Sequence, residues 1–339
     1  MTFKIGKKTI GQGHPCYIIA EVGSNHDGKL DQAKELIRSS ADIGADAVKF
    51  QSFSAEGLIN NLKLDKNKRW IPHPAFDIIK KLEIPDRWHE ELFDYANSLG
   101  IEFLSAPFDL KKAEMLNNIG VRAFKIASGD ITYRQILERV ASYKKPIILS
   151  TGASYLKEIV EAVKTIKTAG CSKYAVLHCV SNYPPRFEDA NIKAIVTLKK
   201  TFKCPVGYSD HSPGITVPLG AVALGANIIE KHITISRQLK GPDHPYALEV
   251  NEFAQMIKEI RNLEKALGNG VKKPVKDEIG ERIGARRSLY ATTDINKGEI
   301  ITKDMIKIVR HGYGLPPSQY ENIIGKRSKL DIKKDELIR

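Results

Sequence analysis

Cysteine is scarce in this chain. There are four in 339 residues, Cys16, Cys171, Cys179 and Cys204, with no C-x-x-C pair among them. That scatter excludes a disulfide framework and a cysteine-built zinc site, so the thiols read as reduced groups of a cytoplasmic protein. No run of about 18 apolar residues occurs, and no membrane span is expected. The opening segment, MTFKIGKKTIGQGHP, has no apolar stretch of the secretory kind. Aromatics make up 7% of the residues and are not interleaved with a basic run, so the formal charge of +13 does not describe a nucleic-acid surface. The lysines stand among acids, as in KLDKNKR and KKDELIR, and read as solvated helix faces; a positive field also draws in small anions. A G-x-G-x-x-G fingerprint is missing after the first apolar run, where the chain has AEVGSNHDG, and this argues against a doubly wound dinucleotide-binding sheet.

What is present is alternation. Short β-rich runs, each ending on a polar residue, precede amphipathic stretches such as KLDQAKELIRSSADIGA, in which apolar residues recur at three- and four-residue steps. The runs are CYIIAE, DAVKFQ, IEFLSAP, RAFKIASG, KPIILSTG, YAVLHCVSN, CPVGYSDH and ANIIEKHI. Eight such units predict an α/β fold of the (β/α)8 TIM-barrel kind over residues 1–267. The segment after DAVKFQ is long and predicts an extended loop with a short helix, placed to act as a lid. Residues 268–283 read as a Lys/Gly/Pro-bearing linker, and 284–339 as a small, mostly β domain with strands at SLYATT, IKIVR and SKLDI. A unit that small favours docking or oligomerisation.

The active site of such a barrel lies at the C-terminal ends of its strands. Those ends supply Glu21 with Asn25 and His26, Lys49 and Gln51, Ser105, Lys125 with Ser128, Ser150 and Thr151, His178 and Asn182, Ser209 with Asp210 and His211, and Glu230 with His232. Burying a polar group without a partner costs about 1–3 kcal/mol, so eight polar strand ends together indicate a site. Lys49 and Lys125, with the hydroxyls of Ser128, Ser150, Thr151 and Ser209, suit a phosphate or carboxylate; the alternative for each lysine is an exposed or ion-paired residue. His211 and His232 end consecutive strands. Beside a carboxylate they suit a divalent ion such as Mn²⁺, Co²⁺ or Zn²⁺, or else are satisfied structural histidines. GPDHP adds Asp243 and His244 at the same rim, as site residues or as an Asx turn. Together these groups fit a phosphorylated acid meeting a polyhydroxylated partner.

The motifs IIAEVGSNHDG, GADAVKFQSF, FLSAPFD, FKIASGD, PIILSTG, LHCVSNYP, VGYSDHSPG, IIEKHIT and GPDHPYALE occur in this order. They resemble the sialic acid synthase family, which condenses phosphoenolpyruvate with an N-acetylated mannosamine-type sugar. The tail, with ARRSLYATTDINKGEIITKDMIKIVR and IGKRSKLDI, resembles that family's antifreeze-like (SAF) domain. The resemblance spans essentially the whole chain. It implies a domain-swapped homodimer and a Mn²⁺ or Mg²⁺ ion on His211 and His232. Phosphoenolpyruvate would meet Lys49, Lys125, Ser128, Ser150 and Ser209, with Ser181 or Asn182 nearby. Glu21, Gln51 and Asp243 would hold the sugar or the attacking water, and Arg310 from a second copy's SAF domain would reach the N-acyl group. Glu21, Lys49, Lys125 and Asp243 are the catalytic candidates, with Ser105 among the binding ones. The implied chemistry joins C3 of the enol to a metal-polarised sugar aldehyde and releases phosphate by C–O cleavage. Two departures stand out. VRHGYG carries His311 where many members have proline, and SNY replaces the TN-Y order of some relatives. Acceptors leading to legionaminic- or pseudaminic-type acids, or a sugar 6-phosphate, are the alternatives to N-acetylmannosamine.

Overall fold

The computed structural model describes residues 1–339. It divides into two compact units, Met1–Gly268 and Asn269–Arg339.

The first unit is a nearly closed barrel of eight parallel strands. These are β1 (Tyr17–Glu21), β2 (Ala47–Ser52), β3 (Glu102–Pro107), β4 (Phe124–Ile126), β5 (Ile147–Ser150), β6 (Tyr174–Cys179), β7 (Val206–Asp210) and β8 (Ile228–Thr234). Hydrogen-bonded ladders run β3-β2-β1-β8-β7-β6-β5-β4. The two end strands, β3 and β4, lie side by side at a seam without a ladder. Each strand is followed by a helix, from Leu30–Asp42 after β1 to Val250–Leu267 after β8. The fold is the barrel the alternation predicts.

Strand side chains alternate between the two faces of a sheet, and here the alternation separates two cores. Ile18, Val48, Phe50, Phe103, Tyr208 and Ile229 point outward and pack on the helix layer, against Leu36, Leu92 and Phe253. Tyr17, Ile19, Ala47, Leu104, Ile148, Leu177 and Ile228 point inward at the lower end of the barrel. An N-terminal hairpin, Thr2–Ile5 paired with Lys8–Gly11, adds Phe3, Ile5 and Ile10 to that inner cluster and plugs the floor. Each such large apolar side chain contributes about 1.5–3 kcal/mol on burial. With the floor filled by apolar side chains, the open cavity of the barrel lies at its C-terminal mouth.

The segment after β2 is more ordered than the expected loop. It holds a helix at Ala55–Leu58, a hairpin of Leu62–Leu64 with Trp70–Pro72, and a helix at Phe76–Lys81. Asp65 closes the hairpin by accepting the N–H groups of Asn67 and Arg69 at 2.8 and 2.9 Å.

In the second unit the predicted linker contains a helix, Glu278–Ala285. Its core is Leu289, Ala291, Ile295, Ile301, Ile306, Ile332 and Ile338, built around the antiparallel pair Arg287–Ala291 and Ile306–Arg310. The third expected run, SKLDI, is no continuous strand and contributes a single bridge, Ile295 to Ile332.

Candidate active site

The mouth of the barrel holds a cavity of about 620 Å³. Glu21, Lys49, Gln51, Lys125, Ser128, Ser150, Ser181, Ser209, His211 and His232 all line it, so most of the sequence-predicted residues converge. Parallel register explains how. Glu21 pairs with Lys49 on β2 and with His232 on β8, and Ser209 pairs with Glu230. Residues of one parity on neighbouring strands therefore form a ring of inward groups.

That ring is charge-balanced. Lys49 Nζ lies 2.7 Å from Glu21 Oε2 and 3.7 Å from Glu230 Oε1, while Lys125 Nζ lies 3.4 Å from Glu230 Oε1. Gln51 donates to Glu21 Oε1 at 2.8 Å, and Ser209 donates to Glu230 Oε1 at 3.2 Å. All four charged side chains are buried. Burial pushes the Glu21 carboxyl up against the opposing pull of Lys49. Burial also opposes charge on Glu230, but Lys125 and Lys49 overcome it and hold that carboxyl low. Burial draws the Lys125 ammonium down, with Glu230 opposing. The two carboxyls are thus pushed apart, Glu21 toward holding a proton and Glu230 toward staying ionised.

The hydroxyls gather round a glycine. Gly152 N–H donates to Ser128 Oγ at 2.9 Å. A Cβ on Gly152 would lie 2.2 Å from Ser181 Oγ, 2.9 Å from Ser128 Oγ and 3.2 Å from Cys179 Sγ, so only glycine keeps this cradle open. Ser150 Oγ is buried there without a hydrogen-bond partner.

His211 and His232 have ring centroids 5.4 Å apart. His211 Nδ1 is 3.0 Å from the Val180 carbonyl, which can only accept, so Nδ1 carries the proton and Nε2 keeps its lone pair. Burial lowers both imidazoles to about 4, so both are neutral at neutral pH. His232 Nδ1 and Glu230 Oε2 are buried without hydrogen-bond partners. Two neutral imidazoles with free lone pairs beside an unpaired carboxylate oxygen fit a divalent ion. No set of three or more His, Cys, Asp or Glu side chains is arranged to enclose one. An ion held here would keep positions open for substrate or water. Tyr183 and Tyr246 flank the pair, with the Tyr183 ring 4.2 Å from His211 and the Tyr246 ring 5.0 Å from His232.

Several predicted residues of the barrel do not line this cavity. Ser105 shares the outward face of β3 with Phe103, and its hydroxyl meets Ser52 Oγ at 2.6 Å, which in turn meets His89 Nε2 at 2.8 Å. Parity removes it from the mouth. Asn182 lines only a neighbouring cavity of about 770 Å³, with His178, Asn191 and Lys193, whereas Ser181 lines both that cavity and the site. Asp243 stands behind His232, with Oδ2 3.8 Å from Nδ1. It accepts from Ser24 N–H at 2.8 Å and from the Tyr246 hydroxyl at 2.6 Å. Its neighbour His244 bridges Thr234 Oγ1 at 2.7 Å and Asp27 at 3.1 Å, tying the loop to the first βα turn. Arg310 ends a strand of the second unit. Thr151 is structural too, donating to the Leu177 carbonyl at 2.8 Å.

Strand-end reading missed Cys179, Tyr183, Ser154 and Glu158, which also line the cavity. Cys179 had a signal, since it shares the parity of Leu177 on β6. Tyr183 lies beyond the strand, where no periodicity reaches.

Residues 36–272 match the NeuB family, and residues 286–339 match the SAF domain. N,N'-diacetyllegionaminic acid synthase of Legionella pneumophila is 42% identical over 335 residues, covering 96% of this chain and 94% of that protein. The synthase of the same name from Campylobacter jejuni is 43% identical over 329 residues, covering 95% of this chain and 98% of that protein. The crystal structure of an N-acetylneuraminic acid (sialic acid) synthetase from Leptospira borgpetersenii, in complex with citrate, superposes with a TM-score of 0.75 at 39% identity, covering 83% of this chain and 95% of that one. The chain belongs to the NeuB family and carries a SAF domain at its C-terminal end.

Proposed function

We propose that the chain condenses phosphoenolpyruvate with an N-acylated amino-hexose and water, giving a nonulosonic acid and phosphate. The observation that carries this reading is the buried Lys49–Glu21 and Lys125–Glu230 arrangement beside the Ser128–Gly152–Ser181 cradle. Preorganised ammonium groups and hydroxyls in a water-poor cavity stabilise charge that develops during reaction more strongly than water does.

In this reading Ser128, Ser150, Ser181 and Ser209 bind the phosphate, and Lys125 neutralises charge at the phosphate and carboxylate. The C2–C3 π pair of the enol bonds C3 to the aldehyde carbon of the open-chain sugar. The aldehyde oxygen, receiving the C=O π pair, becomes a hydroxyl by taking up the proton that water releases. Water bonds to C2. The C2–O bond then breaks as the new C2 hydroxyl loses its proton to the departing phosphate, so the bridging oxygen leaves with phosphate and C2 becomes the ketone carbon. Glu21, with its raised affinity for protons, takes the proton that the adding water gives up, while Lys49 and Gln51 hold its carboxylate in place. His211 and His232 would hold Mn²⁺ or Mg²⁺, which when bound supplies Lewis-acid polarisation of the aldehyde oxygen. Asp243, anchored by Ser24 and Tyr246, orients sugar hydroxyls at the rim. Pairing of two copies, with Arg310 of one SAF domain over the N-acyl group bound by the other, belongs to the same proposal.

Two relatives above 40% identity act on the legionaminic branch by name, so a di-N-acylated trideoxy acceptor is the sugar to test first, and N-acetylmannosamine second. The experiment offers purified protein, phosphoenolpyruvate and Mn²⁺ with each sugar in turn and measures phosphate release. Sugar-dependent release that stops on chelation is expected. No release with any sugar would overturn the proposal.

A further inference from the structure

We infer that the buried Lys231–Asp210 ion pair is a positioning device that sets His211 and His232 for a metal ion. The inference rests on the divalent-ion reading above.

The outward faces of the barrel strands are apolar or carry neutral polar groups, with two exceptions. Asp210 on β7 and Lys231 on β8 are the only charged side chains there, and both are fully buried. Replacing such a pair by apolar groups is often neutral or stabilising, so stability alone does not explain it.

Its placement does. Asp210 and Lys231 are direct cross-strand partners. The flanking inward positions are Ser209 and His211 on one strand, Glu230 and His232 on the other. Lys231 Nζ donates to an Asp210 carboxylate oxygen and, at 2.6 Å, to the Ser212 carbonyl. Asp210 in turn accepts from Ser212 N–H at 3.0 Å and from Ser212 Oγ at 3.1 Å. His211 is thus enclosed in a three-residue turn whose two ends are both tied to Lys231. The residue after Lys231 is His232. One ammonium fixes the backbone beneath both imidazoles, and the pair adds no net charge behind the site. Outer-shell groups that orient metal-binding histidines typically govern affinity by about 10–100-fold.

The test is Mn²⁺ titration followed by the EPR signal of the free ion, with Co²⁺ absorption bands reporting ligand geometry. The variants are Asp210→Asn combined with Lys231→Met, which leaves no unpaired buried charge, and Ser212→Ala, which removes one bond to Asp210. The inference expects the double variant to fold, to bind Mn²⁺ at least about ten-fold more weakly and to shift the Co²⁺ bands. Ser212→Ala should weaken binding in the same direction by less, and it carries the test if the double variant does not fold. Wild-type affinity and unchanged bands in the folded variants would overturn the inference and leave the pair purely structural. His211→Gln separates the two readings. If it binds Mn²⁺ as the wild type does, or if neither binds, the divalent-ion reading itself fails and this inference falls with it.

Discussion

Lys49 places its ammonium 2.7 Å from a carboxylate oxygen of Glu21, with both side chains buried in the barrel mouth. Glu230 also approaches the same ammonium, at 3.7 Å. The three groups have separable roles, which substitution distinguishes. Lys49→Met leaves two buried carboxylates short of a cation and should cost about 3–5 kcal/mol in denaturant unfolding. Glu21→Gln keeps the shape and the contact with Gln51 but removes the carboxyl to which the proposal assigns proton transfer. It should lower kcat for phosphate release by about 10²–10⁴-fold with little change in the KM for phosphoenolpyruvate. Equal kcat in Glu21→Gln and the wild type would remove Glu21 from proton transfer.

Ser105 belongs to a structural cluster with Ser52 and His89, and the cluster carries a pH signature. Burial, aided by the charge of Lys112, lowers the His89 imidazole to about 4 from its ordinary 6.5. Between these values the unfolded chain binds the proton and the folded chain does not. The contribution to stability is therefore complete above about pH 6.5 and is lost as pH falls through about 4, a change of about 3 kcal/mol. Urea unfolding at pH 7.5 and pH 4.5 should show a larger loss in the wild type than in His89→Gln. Ser105→Ala should cost about 1 kcal/mol and leave the KM for phosphoenolpyruvate unchanged; a raised KM would return Ser105 to the site.

These cases show what the sequence could and could not reveal. The eight strand–helix units were legible because short β-rich apolar runs alternate with stretches of three- and four-residue helical steps, and the polar strand ends located the rim. What needed coordinates was which way each strand end faces. The runs IEFLSAP and DAVKFQ end alike, yet Lys49 points inward and Ser105 outward, because facing depends on register relative to neighbouring strands. The Ser181–Asn182 ambiguity is of the same kind, one residue of parity beyond the strand. The floor hairpin carried no chemical signal, and its role appears only in the packing of Phe3, Ile5 and Ile10 inside the barrel. Glu230 was legible as an acid. That it balances both lysines depends on cross-barrel distances no spacing encodes.

Gly152 tests the anion cradle without touching a charged group. The substitution Gly152→Ala would put a methyl 2.2 Å from Ser181 Oγ and 2.9 Å from Ser128 Oγ. Those hydroxyls must move or the anion is excluded. The KM for phosphoenolpyruvate should rise at least about ten-fold, while thermal unfolding shifts by only a few degrees. A KM unchanged in Gly152→Ala would place phosphate binding elsewhere.

The fate of oxygen discriminates between the two ways phosphate can leave. Attack of water on phosphorus would break the P–O bond and put a solvent oxygen into phosphate. In the proposed reaction water adds at C2 and the C2–O bond breaks. All four oxygens of the released phosphate then come from phosphoenolpyruvate, and the solvent oxygen enters the keto acid. Turnover in ¹⁸O-water, followed by mass analysis of the phosphate, should find no solvent label in it. One labelled oxygen per phosphate would mean P–O cleavage, and the roles given to Glu21 and the serine cradle would have to be exchanged for those of a phosphatase.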